Sequence, residues 1–241
     1  YFVPVDRIRD LCLDKEEKIC FVNLDQNVIC RASEDVGGEI IWKMPETWKR
    51  LNGLAKRNAA LRYVTAHQGP NEDDNGIVYD LIEEKIVCRG LSHPNSPFWF
   101  DNKLWVLEGG KGRIGYVNLH NGEFKEKAWL PGYVRGISNV RDKYLVVACS
   151  RDRKQQAFAD LPLGQIIKDK MAIPTCGVFF FDLVNFDIVE SLTIMPPIHE
   201  WYDCSIINGI LRPRLLELGD ESNMRKYKID YGEYANDDWY F

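Results

Sequence analysis

The chain has no CxxC pair, no apolar run near the roughly 18 to 20 residues that span a bilayer, and no charged-then-apolar leader. The first absence removes the usual zinc and dithiol signatures, and the other two remove a membrane span and a secretory signal. The seven cysteines (Cys12, Cys20, Cys30, Cys88, Cys149, Cys176 and Cys204) are odd in number, and nearly all sit in apolar runs such as Lys18-Ile19-Cys20-Phe21-Val22. They read as small buried hydrophobes of a reducing compartment, hence a cytoplasmic protein. Excess positive charge is lacking too. Thirty-one Lys and Arg against 36 Asp and Glu give a net charge of -5 with the signs interspersed, which argues against nucleic acid and membrane surfaces as partners. The chain begins at Tyr1 rather than methionine, as a fragment or processed form would. What is present is 45% hydrophobic and 28% charged residues, the make-up of a packed soluble domain.

The strongest internal signal is a repeat. An apolar residue, a polar marker and a small or apolar pair recur in Ile8-Arg9-Asp10-Leu11, Leu51-Asn52-Gly53-Leu54, Val134-Arg135-Gly136-Ile137 and Trp201-Tyr202-Asp203-Cys204, and more loosely in Pro94-Asn95-Ser96-Pro97. The markers Asp10, Asn52, Asn95, Arg135 and Asp203 stand 42, 43, 40 and 68 residues apart, the last interval being one period plus an insertion. Each period has the texture of four short strands. In the third, Asn95 to Phe100, Lys103 to Leu107, Arg113 to Leu119 and Glu123 to Trp129 are divided by Asp101-Asn102, a glycine-rich turn and Asn121-Gly122. Asn-Gly tolerates the positive φ of a hairpin turn, so consecutive strands run antiparallel. Four-stranded units at a period near 40 predict an all-β fold, a β-propeller of antiparallel blades. A β-sandwich has similar strand spacing but no reason to repeat one polar marker every fourth strand.

Five units are visible, over about 8–43, 51–90, 94–129, 134–194 and 201–230, in a single domain spanning 1–241. The fourth carries an insertion, 151–174, with a short amphipathic helix from Asp160 to Lys170. The closing 231–241 is acidic and aromatic, and reads either as the completion of a blade or as a partner-binding tail.

In an up-and-down blade the start of the first strand and the end of the second lie at one end. The markers therefore converge on one mouth of the channel with Asn23 and Asp25, His67, Glu108, and Arg151 and Arg153, and the insertion leaves from the same end. Carboxylates and amides there are donors suited to Ca²⁺, Mg²⁺ or Mn²⁺, which makes Asp10, Asn52, Asn95, Glu108 and Asp203 candidate metal ligands. Arg135 is a candidate anion clamp, with Arg151 and Arg153 as further ligand-binding cations. His67 or Asp203 would act as base, and the set suits hydrolysis, lactone opening or elimination beside a carbonyl. The plain alternative is a water-filled channel lined by polar residues without a ligand. Gly109-Gly110-Lys111-Gly112 lacks phosphate-loop spacing and reads as a turn. His93 and His199, at blade entrances, read as loop residues with a ligand role as the alternative, and His120 as a surface residue.

Three runs carry a family resemblance: Leu91-Ser92-His93-Pro94-Asn95-Ser96-Pro97, Leu104-Trp105-Val106-Leu107-Glu108-Gly109-Gly110, and Leu130-Pro131-Gly132-Tyr133-Val134-Arg135-Gly136. With Arg50-Leu51-Asn52-Gly53-Leu54-Ala55, Arg62-Tyr63-Val64-Thr65-Ala66, Phe158, Leu161-Pro162-Leu163, Cys176-Gly177-Val178 and Tyr202-Asp203, they make the chain similar to the DUF4915-like family of bacterial proteins of unknown function. The resemblance implies a propeller, with a further blade's worth of sequence upstream, so that five units become part of six. It carries no activity. Asn95 and Arg50 stand where the family reads histidine, which implies an altered site if those histidines act as ligands or bases. The expectation from sequence is a small-molecule-binding or metal-assisted hydrolase or lyase acting on an anion; the rival is a non-catalytic propeller that presents its loops to a protein partner.

Overall fold

The computed structural model describes residues 7–33, 38–45, 48, 50–67, 75–151 and 160–207. The chain divides into two compact units, Tyr1–Ser205 and Ile206–Phe241, and the strands and helix lie in the first. The expected tail and most of the expected fifth unit, from 208 onward, lie outside the described residues.

Among the described residues sixteen strands form four sheets of four consecutive antiparallel strands. The first holds β1 (Ile8–Leu13), β2 (Ile19–Asn23), β3 (Val28–Arg31) and β4 (Glu39–Lys43). The second holds β5 (Arg50–Arg57), β6 (Ala60–His67), β7 (Gly76–Asp80) and β8 (Lys85–Leu91). The third holds β9 (Pro94–Phe100), β10 (Lys103–Glu108), β11 (Arg113–Asn118) and β12 (Glu123–Trp129). The fourth holds β13 (Tyr133–Val140), β14 (Tyr144–Ser150), β15 (Gly177–Asp182) and β16 (Ile188–Thr193). Between β14 and β15 lies the one described helix, α1 (Pro162–Asp169), where the sequence placed it; its Pro162 stands at the first turn, where no N–H is needed. No described helix is long and apolar enough to cross a membrane.

Local chemistry explains the hairpins. Asn58-Ala59 and Asp101-Asn102 all have positive φ and join β5 to β6 and β9 to β10 by two-residue turns. Burial then sorts the strands by position. The second strands are nearly continuous apolar runs buried on both faces, as in Leu145-Val146-Val147-Ala148-Cys149 of β14. The outer strands are largely exposed, β16 along its whole length.

The sheets stack face to face as blades do. First strand lies against first strand in series, β1 on β5, β5 on β9 and β9 on β13. Trp105 and Leu107 of the third sheet interlock with Leu145, Val147, Phe179 and Phe181 of the fourth, and Val22 and Ile29 of the first meet Leu54 and Val64 of the second. The four described sheets form a propeller-like arrangement.

Candidate functional site

Each first strand breaks its ladder at or beside its polar marker. Pairing skips between Ile8 and Leu11 in β1, between Leu51 and Leu54 in β5, between Asn95 and Phe98 in β9, and between Arg135 and Ile137 in β13. Such bulges bend the strand and re-aim side chains. Gly53, Pro97 and Gly136 stand at these breaks, residue types that mark bulges in strands and that would have located them from sequence.

The bulged segments line a cavity of about 240 Å³. Around it stand Asp10, Asn52, Asn95, Arg135 and Asp203, all five markers, together with Arg9, Ser96 and Tyr202. Two amides link blades. The Asn52 Nδ2 donates to Pro94 O at 2.9 Å and to Asn95 Oδ1, while the Asn95 Nδ2 donates to His93 O at 2.8 Å and to the Tyr133 hydroxyl at 3.0 Å. Asn52→Ala leaves two acceptors buried without this donor, so it is expected to cost about 2 kcal/mol of stability in denaturant unfolding.

Arg135 is held differently. Its guanidinium lies 4.5 Å from the Tyr133 ring centre and 4.3 Å from that of Tyr202, and its buried Nε and Nη1 have no hydrogen-bond partner among the described residues. Helix α1 supports this wall, since Leu163 and Ile167 pack on Tyr133 and Leu163 N donates to Gly110 O at 2.8 Å.

The carboxylates come from opposite ends of the arc. Asp10 accepts from Leu11 N and from Leu54 N of the neighbouring blade, both at 2.8 Å. Burial pushes its carboxyl up to about 6, against those two donors, and the charge of Asp203 adds to the rise. Asp203 accepts from Cys204 N at 2.8 Å and is raised by partial desolvation, against that same donor. It reaches the cavity on a segment pinned to β14: Trp201 N donates to Ser150 Oγ at 2.9 Å, the Ser150 hydroxyl returns to Trp201 O at 3.1 Å, and the Cys204 thiol donates to Val146 O at 3.6 Å.

Two consequences can be measured. A raised carboxyl keeps its proton in the folded state, so the stability from neutral Asp10 is complete below about pH 4 and is lost as pH rises through about 6. Carbon-13 NMR of the Asp10 carboxyl is expected to give a midpoint near 6, moving down in Asp203→Asn; an ordinary midpoint near 4 would contradict the assignment. Gly136 has a φ of +72°, and a Cβ there would stand 2.6 Å from Asp203 Cα. Gly136→Ala is therefore expected to displace Asp203 and bring the Asp10 midpoint down, at a cost of about 1 kcal/mol or more in global stability, read from the same spectra and a thermal melt.

Three expected participants lie elsewhere. Glu108 does not line the cavity: it accepts from Ser92 N at 2.7 Å and pairs with Arg113, its cross-strand neighbour, and burial still raises its carboxyl. His67 is buried in a stack on His93, ring centres 4.5 Å apart, and is not part of the lining. Arg151 is a tether, donating through N to His199 O at 2.9 Å and through Nη2 to Ile198 O at 2.8 Å. Near the same end Asp25 pairs with Arg7 at 2.6 Å, and Asn23 Oδ1 caps the turn at Asp25 N, 3.0 Å away. Arg153 lies outside the described residues.

The expected metal ligands are thus split. Among the described residues no three His, Cys, Asp or Glu side chains gather as a metal site. The cavity offers two carboxylates and two amides bonded to each other, beside a guanidinium, whereas Ca²⁺ takes six or more oxygens. That donor set fits a bare divalent cation poorly.

No curated protein matches the chain in sequence. A gluconolactonase from Xanthomonas campestris superimposes with a TM-score of 0.58 at 16% identity, over 82% of this chain and 65% of its own. A streptogramin B lyase gives 0.52 at 16%, over 82% and 58%, and a protein of unknown function from Bacteroides caccae gives 0.52 at 10%, over 77% and 60%. At these identities the likeness is one of fold, and this chain spans less than two thirds of each of the three. The sequence profile of the domain of unknown function DUF4915 matches residues 4–216, across all four blades and the pinned segment. The chain therefore belongs to the DUF4915 family.

Proposed function

We propose that the protein binds a small anionic molecule in this cavity and acts on it by proton transfer, as a propeller of the hydrolase or lyase type. The observation that carries the reading is Arg135, a cavity-lining guanidinium with two buried nitrogens unpartnered among the described residues. A buried donor left unmade costs about 1–3 kcal/mol, more for a charged group. A carboxylate or phosphate accepting two parallel N–H bonds offsets that cost and is oriented by it.

Proton transfer falls to the two carboxyls. Asp10, titrating near neutrality, suits a general acid, and Asp203 takes the role of base. Lactone opening and elimination beside a carbonyl both need such a pair next to an anion hold. The gluconolactonase and the streptogramin B lyase lend the reading support as proteins of the same fold that perform those classes of chemistry. Residues 201–205 open the first strand of a further blade in this reading, because Asp203 accepts from Cys204 N as Asp10 does from Leu11 N.

The test is a thermal-shift panel of small carboxylates, phosphates and lactones, with acid release followed for the lactones. At least one anion class is expected to raise the midpoint of the wild type and not that of Arg135→Ala. Binding undiminished in Arg135→Ala, or no anion bound at all, sinks the proposal.

A second reading, a non-catalytic propeller that docks a protein partner, draws on β16. Ile188, Val189 and Leu192 are 48%, 51% and 56% exposed there, on an outermost strand. Its mark would be a partner lost in Leu192→Glu and kept in Arg135→Ala.

A further inference from the structure

Resting on the anion site just proposed, we infer that the cavity's occupant is a zwitterion: a small molecule with a protonated amine close to its carboxylate, as in an α-amino acid. The buried carboxylates of the described blades are each met by an arginine: Asp14 by Arg31 at 2.8 Å, Asp80 by Arg62 at 2.9 Å, and Glu108 by Arg113. The cavity's two carboxylates, Asp10 half-buried and Asp203 exposed, are matched differently. Asp10 and Asp203 receive only backbone N–H groups, and neither forms an ion pair among the described residues.

The cation that could have met them is held away. Arg135 lies between the faces of Tyr133 and Tyr202, within the same cavity but bonded to neither carboxylate. Opposite charges thus stand apart around about 240 Å³, with no ion pair between them among the described residues. An anion alone would satisfy Arg135 and face two carboxylates. A cation alone would satisfy the carboxylates and face Arg135, with Arg9 also on the lining. A molecule carrying both charges meets both needs, and its ammonium supplies the three donors that two carboxylates can accept. The corresponding 2-hydroxy acid has the same shape and carboxylate, with a neutral hydroxyl in place of the ammonium.

Binding should also move a proton. The ionisable groups facing Asp10 are Asp203, Arg9, Arg135 and Tyr202 on the cavity lining and the Cys12 thiol two residues along β1. An ammonium placed between Asp10 and Asp203 favours their ionised forms, so a zwitterion that binds at pH 6 expels part of a proton. A hydroxy acid brings only negative charge and drives proton uptake.

The experiment is titration calorimetry at pH 6 in two buffers of different ionisation enthalpy, using common L-amino acids paired with their 2-hydroxy acid counterparts. At least one amino acid is expected to bind about tenfold or more tightly than its hydroxy acid, with proton release. Asp203→Asn keeps the acceptor for Cys204 N, and it should erase that preference while retaining hydroxy-acid binding. Arg135→Ala should remove both ligands. Hydroxy acids that bind as well as the amino acids, or better, overturn the zwitterion while leaving the anion site standing. If neither class binds, the anion site falls and the zwitterion with it.

Discussion

Replacing Arg135 by alanine is expected to weaken binding of the cavity's ligand by about 100-fold, close to 3 kcal/mol, measured by calorimetry against the wild type. The size follows from the state of the guanidinium before any ligand arrives. Its Nε and Nη1 are buried without partners among the described residues, and the rings of Tyr133 and Tyr202 flank it. Orientation is thus already set, so little rotamer freedom is lost on binding and most of the hydrogen-bond energy appears as affinity. Arg135→Lys keeps the charge but has neither the planar fork nor its stacking, and should recover only a minor part. Full affinity in the lysine variant would mean that charge alone binds, with no role for the fork. Because the side chain makes no hydrogen bond within the described residues, the alanine variant should unfold at nearly the wild-type denaturant midpoint.

The second large effect concerns the blades. Trp105→Ala is expected to cost about 3–5 kcal/mol in denaturant unfolding. Trp105 is 1% exposed, stacks on Phe186 with ring centres 5.3 Å apart, meets the Tyr116 ring edge-on at 5.5 Å, and fills the interface between the third and fourth sheets. Leu192→Ala, on the exposed outer strand β16, removes an aliphatic side chain from a position with no such interface and should change stability by less than about 0.5 kcal/mol. If the two substitutions cost the same, the face-to-face packing of these sheets is wrong.

The repeat was legible because hairpin chemistry is local. Asn121-Gly122 and Asp101-Asn102 announce their turns, and the apolar runs between them have few alternatives to a buried strand. That the markers of successive first strands gather at one place follows from strand polarity, which the repeat already implies. Which of them stay available to a ligand does not follow, because it depends on contacts between blades. Asn52 and Asn95 are 43 residues apart and look alike in sequence, yet they bond to each other. His67 looked like a base from its place at the end of a second strand, but it is stacked on His93 from the next unit. Glu108 is the exception. Its partner Arg113 stands directly across a glycine-rich hairpin, and that opposed charge pair could have been read as structural from the sequence. Tyr133, two residues before Arg135 on β13, was a local signal, whereas Tyr202 reaches the arginine from a distant part of the chain and gave none.

The central claim is that one cavity, built by bulged first strands and walled by Arg135, Asp10 and Asp203, is where the protein binds its ligand. A crystal structure with the tightest-binding carboxylate from the calorimetric series tests it most directly. The account predicts density in that cavity, with the ligand's carboxylate on the Arg135 guanidinium and its other polar end toward Asp10 and Asp203. Ligand density elsewhere, with the cavity holding only water, would contradict it.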